Sequence, residues 1–102
     1  MKHYTLYSEE GCPDCTALKN NLNQLGITYE NRDINEKIPG AQPHKYRWEK
    51  NDLVKQRSLP GYVPILHINE NNNIKILASG MVFEDKGDVI IFSTIEEALK
   101  NL

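Results

Sequence analysis

Residues 2–26 read KHYTLYSEEGCPDCTALKNNLNQLG, and this stretch decides the fold. Lys2 to Tyr7 alternates, with bulky Tyr4, Leu6 and Tyr7 toward its end, which is the pattern of a short strand. Ser8 to Gly11 reads as a turn. Pro13 suits the first turn of a helix, where its missing N–H leaves no hydrogen bond unmade. Leu18, Leu22 and Leu25 recur at i, i+4 and i+7, one helical stripe, and Gly26 stops it. Strand, turn and helix therefore follow one another, with Cys12 and Cys15 at the strand-to-helix junction. In open α/β sheets that end of the strands is where sites form.

Outward from this unit, Ile27 to Ile34 reads as a second strand, β-branched and aromatic at its start. Asn35 to Pro43 holds Pro39, Gly40 and Pro43 and is loop. His44 to Arg57 has neither proline nor glycine and is rich in helix formers, which predicts a second helix. Leu59-Pro60-Gly61 breaks it. Val63 to Ile68 and Ile74 to Ala78 are apolar runs around Asn69-Glu70-Asn71-Asn72-Asn73, a turn cluster, so they predict a β-hairpin. Gly80 to Asp88 has no clear pattern, and Val89 to Phe92 is short and apolar. Ser93 with Glu96 forms a capping box for a last helix whose inward face is Ile95, Ala98, Leu99 and Leu102. The order is βαβαββα. It predicts an α/β fold with a mixed four-stranded sheet and helices on both faces.

A chain of 102 residues makes one domain. Area scaling lets a chain of this size bury roughly 65% of its extended surface, enough for a core without staples. Hydrophobic residues at 39% and charged ones at 25% are ordinary globular values. A formal charge of -2 argues against nucleic acid as the main partner. No apolar run is long enough to span a membrane, and the first residues lack the apolar core of a signal peptide. A cytoplasmic monomer is the expectation.

The two cysteines then need a reason. A structural disulfide across two residues closes a very short loop, and stabilisation grows with loop length. Zinc needs further ligands, and His3, His44 and His67 are scattered singly. A redox pair is the best reading of the spacing. A metal or iron–sulfur cluster held by the pair, without redox turnover, is the alternative.

With Cys12-Pro13-Asp14-Cys15 after the first strand and Val63-Pro64 opening the third, the chain resembles a glutaredoxin of the thioredoxin superfamily. Thioredoxins usually carry Trp before the first cysteine; here that residue is Gly11, and the lone Trp48 lies in the second predicted helix. The resemblance implies a dithiol thiol–disulfide oxidoreductase that reduces protein or low-molecular-weight disulfides. Cys12 would be the nucleophile and Cys15 the resolving thiol. Pro64 would be a cis-proline facing the disulfide, leaving the Val63 backbone as an edge for a peptide or glutathione. Pro13, Asp14, Tyr62 and Gly80 complete the expected substrate contacts. No cofactor is expected to be tightly bound; glutathione, another small thiol or a flavin reductase such as thioredoxin reductase would supply electrons.

Residue chemistry supports these roles separately. A helix N-terminus favours a thiolate at Cys12. Cys15 lies on the leucine stripe one turn later and should be the more buried.

Three departures from the family mark this chain. Asp14 takes a position that is often aromatic, and with Glu9 and Glu10 it makes the rim acidic; two readings are open, that these carboxylates disfavour a second anion or that they stand solvated and screened with little effect. Where many glutaredoxins carry Gly-Gly-x-Asp for glutathione, this chain has Ser79-Gly80-Met81-Val82, with Gly87-Asp88 further on. The basic residue common near the first cysteine is absent. The second helix, with Lys45, Arg47, Lys50, Lys55 and Arg57 against Glu49 and Asp52, reads first as a solvated face and alternatively as a substitute charge source. Of these, Lys55 or Arg57 is expected to reach an acidic group if the helix faces the cleft. Tyr7 reads as a core aromatic, His67 as a strand residue and Met81-Val82-Phe83 as core.

Overall fold

A computed structural model describes residues 2–37, 40, 44–59, 61–78, 81–84, 89–91 and 95–100, with the backbone alone at 81–84, 89–91, 95 and 96. The elements are β1 (Lys2–Ser8), α1 (Pro13–Gln24), β2 (Glu30–Asp33), α2 (Lys45–Arg57), β3 (Ile65–Glu70), β4 (Asn73–Ala78), β5 (Met81–Glu84), β6 (Val89–Ile91) and α3 (Ile95–Lys100). The sheet order is β2-β1-β3-β4-β5-β6. β1 pairs parallel with β2 and antiparallel with β3, and β3 and β4 form the hairpin. The mixed four-stranded sheet expected from the sequence is thus present as β2-β1-β3-β4. Two short antiparallel strands, β5 and β6, extend its β4 edge.

Alternation along the strands sorts the core into two halves, because successive side chains point to opposite faces. Leu6, Leu66, Ile68 and Leu77 meet Leu18 and Leu22 of α1 and Ala98 and Leu99 of α3. Their neighbours Tyr7, Ile65, Ile76 and Ala78 form the other half with Ile34 and Leu59, under Tyr46, Leu53 and Val54 of α2. Helices therefore lie on both faces. α1 and α3 share one face; α2 covers the other without any fully buried residue of its own.

Several boundaries move. α1 ends at Gln24, and Leu25 is a cap residue 48% exposed rather than the last member of the buried stripe. The helix stops there because the Leu25 and Gly26 N–H groups close onto Asn21 and Asn23, and Gly26 takes a φ of +70°, a conformation that costs glycine little. β2 is confined to Glu30–Asp33, the only residues opposite β1 in register; Ile27 and Tyr29 instead pack on the α1-side core. In the hairpin the turn shrinks to Asn71-Asn72, both at positive φ, which asparagine tolerates. Asn69, Glu70 and Asn73 join the ladder because Lys2 and His3 pair with Glu70 and Asn69. The box formed by Ser93 and Glu96 lies outside the described side chains, as does Leu102. No helix among the described residues is long and apolar enough to cross a membrane.

Candidate active site

Cys12 and Cys15 are joined in a disulfide, their Cα atoms 5.2 Å apart. Cys12 is the N-cap of α1, with extended backbone, and Pro13 follows in the first turn. The Cys15 N–H points at Cys12 Sγ, 3.1 Å away, and the Thr16 N–H donates to the Cys12 carbonyl at 3.1 Å. A backbone donor of the first turn is thus aimed at the sulfur, where it stabilises negative charge. Cys15 is 1% exposed, whereas Cys12 is only partly buried. Gly11, at φ +79°, brings the chain round from Ser8 to Cys12 in a backbone conformation that strains other residues.

The loop before β3 meets this turn. The Val63–Pro64 peptide bond is cis, as the resemblance implied. The Val63 carbonyl oxygen lies 3.9 Å from Cys12 Sγ. A cleft of about 370 Å³ opens beside the sulfur between the β1–α1 loop, the residue after β2, α2 and the loop before β3. Glu9, Glu10, Cys12, Lys50, Tyr62 and Val63 line it, with Ile34 as an apolar floor. Tyr62 is 77% exposed, a free aromatic wall. Lys50 Nζ donates to the Gly61 carbonyl at 3.2 Å and so ties α2 to the same loop.

Of the residues singled out in the sequence, Cys12, Cys15, Tyr62 and Val63 gather here. Pro13 and Asp14 stand exposed on the first turn of α1 and do not line the cleft. Pro64 is half-buried next to Val63. Gly80, Ser79 and Gly87-Asp88 lie outside the described residues, and of Met81 and Val82 only the backbone is described. The cation of α2 in the cleft is Lys50, not Lys55 or Arg57. Lys50 is one of the α2 cations named from the sequence; with an apolar face limited to Tyr46, Leu53 and Val54, the sequence leaves open which of those cations turns to the cleft.

Tyr7 is buried, as expected, and points to the α2 face. There its hydroxyl donates to Glu49 Oε1 at 3.1 Å and accepts from Arg32 Nη1 at 3.3 Å, while Arg32 Nη1 also donates to Glu49 Oε1 at 2.6 Å. Glu30 holds the other edge of the guanidinium, which also lies over the rings of Tyr7 and Tyr46. Burial, and then Glu49, push the Tyr7 hydroxyl above its ordinary value against the pull of Arg32. Burial alone would lower the Arg32 value, but Glu30, Tyr7 and Glu49 outweigh it and hold the guanidinium charged. This network borders a second cleft of about 400 Å³ that Thr5, Asp52 and His67 also line, away from the disulfide. Among the described residues no group of His, Cys, Asp and Glu could hold a metal ion.

A partly buried cysteine at a helix N-terminus, a buried partner one turn on and the loop before β3 against them make up the candidate site, on a thioredoxin-like fold. The Glutaredoxin family model matches residues 4–70, well over half of the chain, and the chain belongs to the glutaredoxin family. Among solved structures it is similar to the thioredoxin-like protein BC3987, at 18% identity and a TM-score of 0.51, over 97% of this chain and 99% of that one. A point mutant of BC3987 aligns with a TM-score of 0.49 at 18% identity, over 95% of each chain. These likenesses concern the fold alone. No curated protein matches the sequence significantly.

Proposed function

We propose that this protein reduces disulfides with the Cys12/Cys15 dithiol. The observation that carries the reading is the asymmetry of the pair: Cys12 faces a cleft with a backbone N–H on its sulfur, and Cys15 is sealed beneath it. In the reduced protein the Cys12 thiolate attacks one sulfur of a substrate disulfide. That S–S bond breaks, a mixed disulfide forms on Cys12, and the first substrate thiolate leaves and takes a proton from solvent. Cys15, deprotonated, then attacks the Cys12 sulfur. The second thiolate leaves, and two electrons have passed from the protein to the substrate. The product is the Cys12–Cys15 disulfide. A low-molecular-weight thiol such as glutathione, or a flavin-dependent reductase, returns the two electrons. A cytoplasmic setting, where thiols are kept reduced, suits that direction of flow. Protein disulfides and small disulfides are both admissible substrates for a cleft this open.

The test is single-turnover reduction of bis(2-hydroxyethyl) disulfide by the pre-reduced protein, followed by thiol release. Two thiols should appear per protein, and Cys12→Ser should release none. Release at the wild-type rate from Cys12→Ser would refute the mechanism. Recovery of the oxidised protein with glutathione, set against recovery with thioredoxin reductase and its nicotinamide cofactor, then assigns the donor.

A further inference from the structure

The cleft beside Cys12 has a charge pattern that bears on which disulfides enter it. Two carboxylates, Glu9 and Glu10, stand in its lining immediately before the Gly11–Cys12 turn. One ammonium, Lys50, stands on the α2 side, and one of its three protons is already given to the Gly61 carbonyl. Neither Glu9 nor Glu10 makes an ion pair among the described residues. Asp14, a third carboxylate, stands exposed on the first turn of α1 outside the cleft lining. The sulfur that must be attacked therefore arrives at a place where local negative charge exceeds positive, on a chain loop only two residues from the nucleophile.

From this we infer that the site selects disulfides carrying an ammonium or guanidinium group close to the reacting sulfur, and disfavours those carrying a carboxylate there. Glu9 and Glu10 are the residues that set the preference. The inference rests on the dithiol reaction proposed above and names its substrate class. A cation next to the substrate sulfur is drawn to the two carboxylates during approach and in the mixed disulfide. An anion meets them as like charges, while Lys50, held by Gly61, answers only in part. Each surface charge pair changes a rate by a factor of a few, so two acting together give about a tenfold preference at low ionic strength. Screening removes most of it near 1 M salt, where the Debye length falls to about 3 Å.

Three disulfides of one skeleton separate the terms: bis(2-aminoethyl), bis(2-hydroxyethyl) and bis(2-carboxyethyl) disulfide. Each is mixed with the pre-reduced protein in stopped flow, and each rate is divided by that of the same disulfide with dithiothreitol, which removes intrinsic reactivity. The normalised amine-to-carboxylate ratio is expected near ten at 20 mM salt. It should fall toward one at 1 M salt, and toward one in the Glu9→Gln/Glu10→Gln double variant. A ratio at or below one in the wild type, or a ratio that the double variant leaves unchanged, overturns the inference. The neutral disulfide keeps the two readings apart. If the protein reacts with it but shows no charge preference, only the selectivity fails; if the protein does not react with it at all, the dithiol reaction fails and the selectivity with it.

Discussion

Replacing Glu49 with glutamine tests how far charge adds to the packing of Tyr46, Leu53 and Val54 in holding α2 on the sheet. α2 has no fully buried residue, so its apolar contribution is modest. Glu49 instead receives a 2.6 Å bond from Arg32 and a 3.1 Å bond from Tyr7, and the Arg32 and Glu49 side chains are only 27% and 28% exposed. Fully exposed pairs contribute about 0.2–1 kcal/mol and charged hydrogen bonds in more buried settings about 1.5–3 kcal/mol. Glutamine keeps the shape and one acceptor, and Glu30 remains on Arg32. The loss should therefore lie near the lower charged value, about 1.5 kcal/mol. For a domain of this size that is a fall in Tm of about 7 °C. Thermal unfolding by circular dichroism, with the disulfide intact in every sample, measures it. A double-mutant cycle with Arg32→Met then isolates the pair and should return a coupling of at least about 0.5 kcal/mol. A Tm within 2 °C of the wild type together with additive single effects would sink the argument.

Other expectations follow from the same geometry. Cys15→Ser should leave Cys12 able to attack but unable to release its substrate, so a stable one-to-one mixed disulfide should be visible by intact mass; a protein that turns over normally would contradict the resolving role. Leu22, fully buried between α1 and the sheet, should cost about 2–5 kcal/mol when cut to alanine, read from the urea midpoint. A cost below 1 kcal/mol would mean that this half of the core is not packed as described. Because the Tyr7 hydroxyl titrates above 10.0 in the fold and near 10.0 in the unfolded chain, its contribution is complete below pH 10 and is lost as pH climbs through the folded value. Stability should fall above pH 10, and Tyr7→Phe should make that fall shallower; identical slopes for the two proteins would show that another group is responsible.

Local features were legible in the sequence. The run Lys2 to Gly26 carries its own strand pattern, helix start, leucine stripe and stop, so β1, α1 and the placement of both cysteines needed no tertiary information. The exposed and buried roles of Cys12 and Cys15 follow from one helical turn and the stripe that Cys15 shares. What escaped was set by partners distant in sequence. Asn69, Glu70 and Asn73 look like turn residues, yet the ladder to β1 takes them, because pairing with Lys2 and His3 overrides weak strand propensity. β5 is only four residues long, and pairing with β4 is what marks it as strand. The Tyr7–Arg32–Glu49 network joins residues separated by 17 to 42 positions, and only the sheet register opposite α2 brings them together. Lys50 entered the cleft in place of Lys55 or Arg57 for the same reason.

The proposed chemistry and the proposed selectivity therefore draw on different levels of the structure. Thiol exchange needs the strand-to-helix junction and a loop against it, and both are built from short segments whose patterns are plain. The cleft beside Cys12 is assembled from four separate segments, the loop before α1, Ile34, α2 and the loop before β3. Its acidic residues come from the first of these and its cation from the third. Strand alternation contributes as well: Leu6 anchors β1 to α1 while Tyr7, its neighbour, engages Arg32 and Glu49 beneath α2. The residue after Glu49 is Lys50, which holds Gly61 two residues before Val63. A change in how α2 seats on the sheet thus bears on the walls of the cleft while leaving the two cysteines and their helix in place.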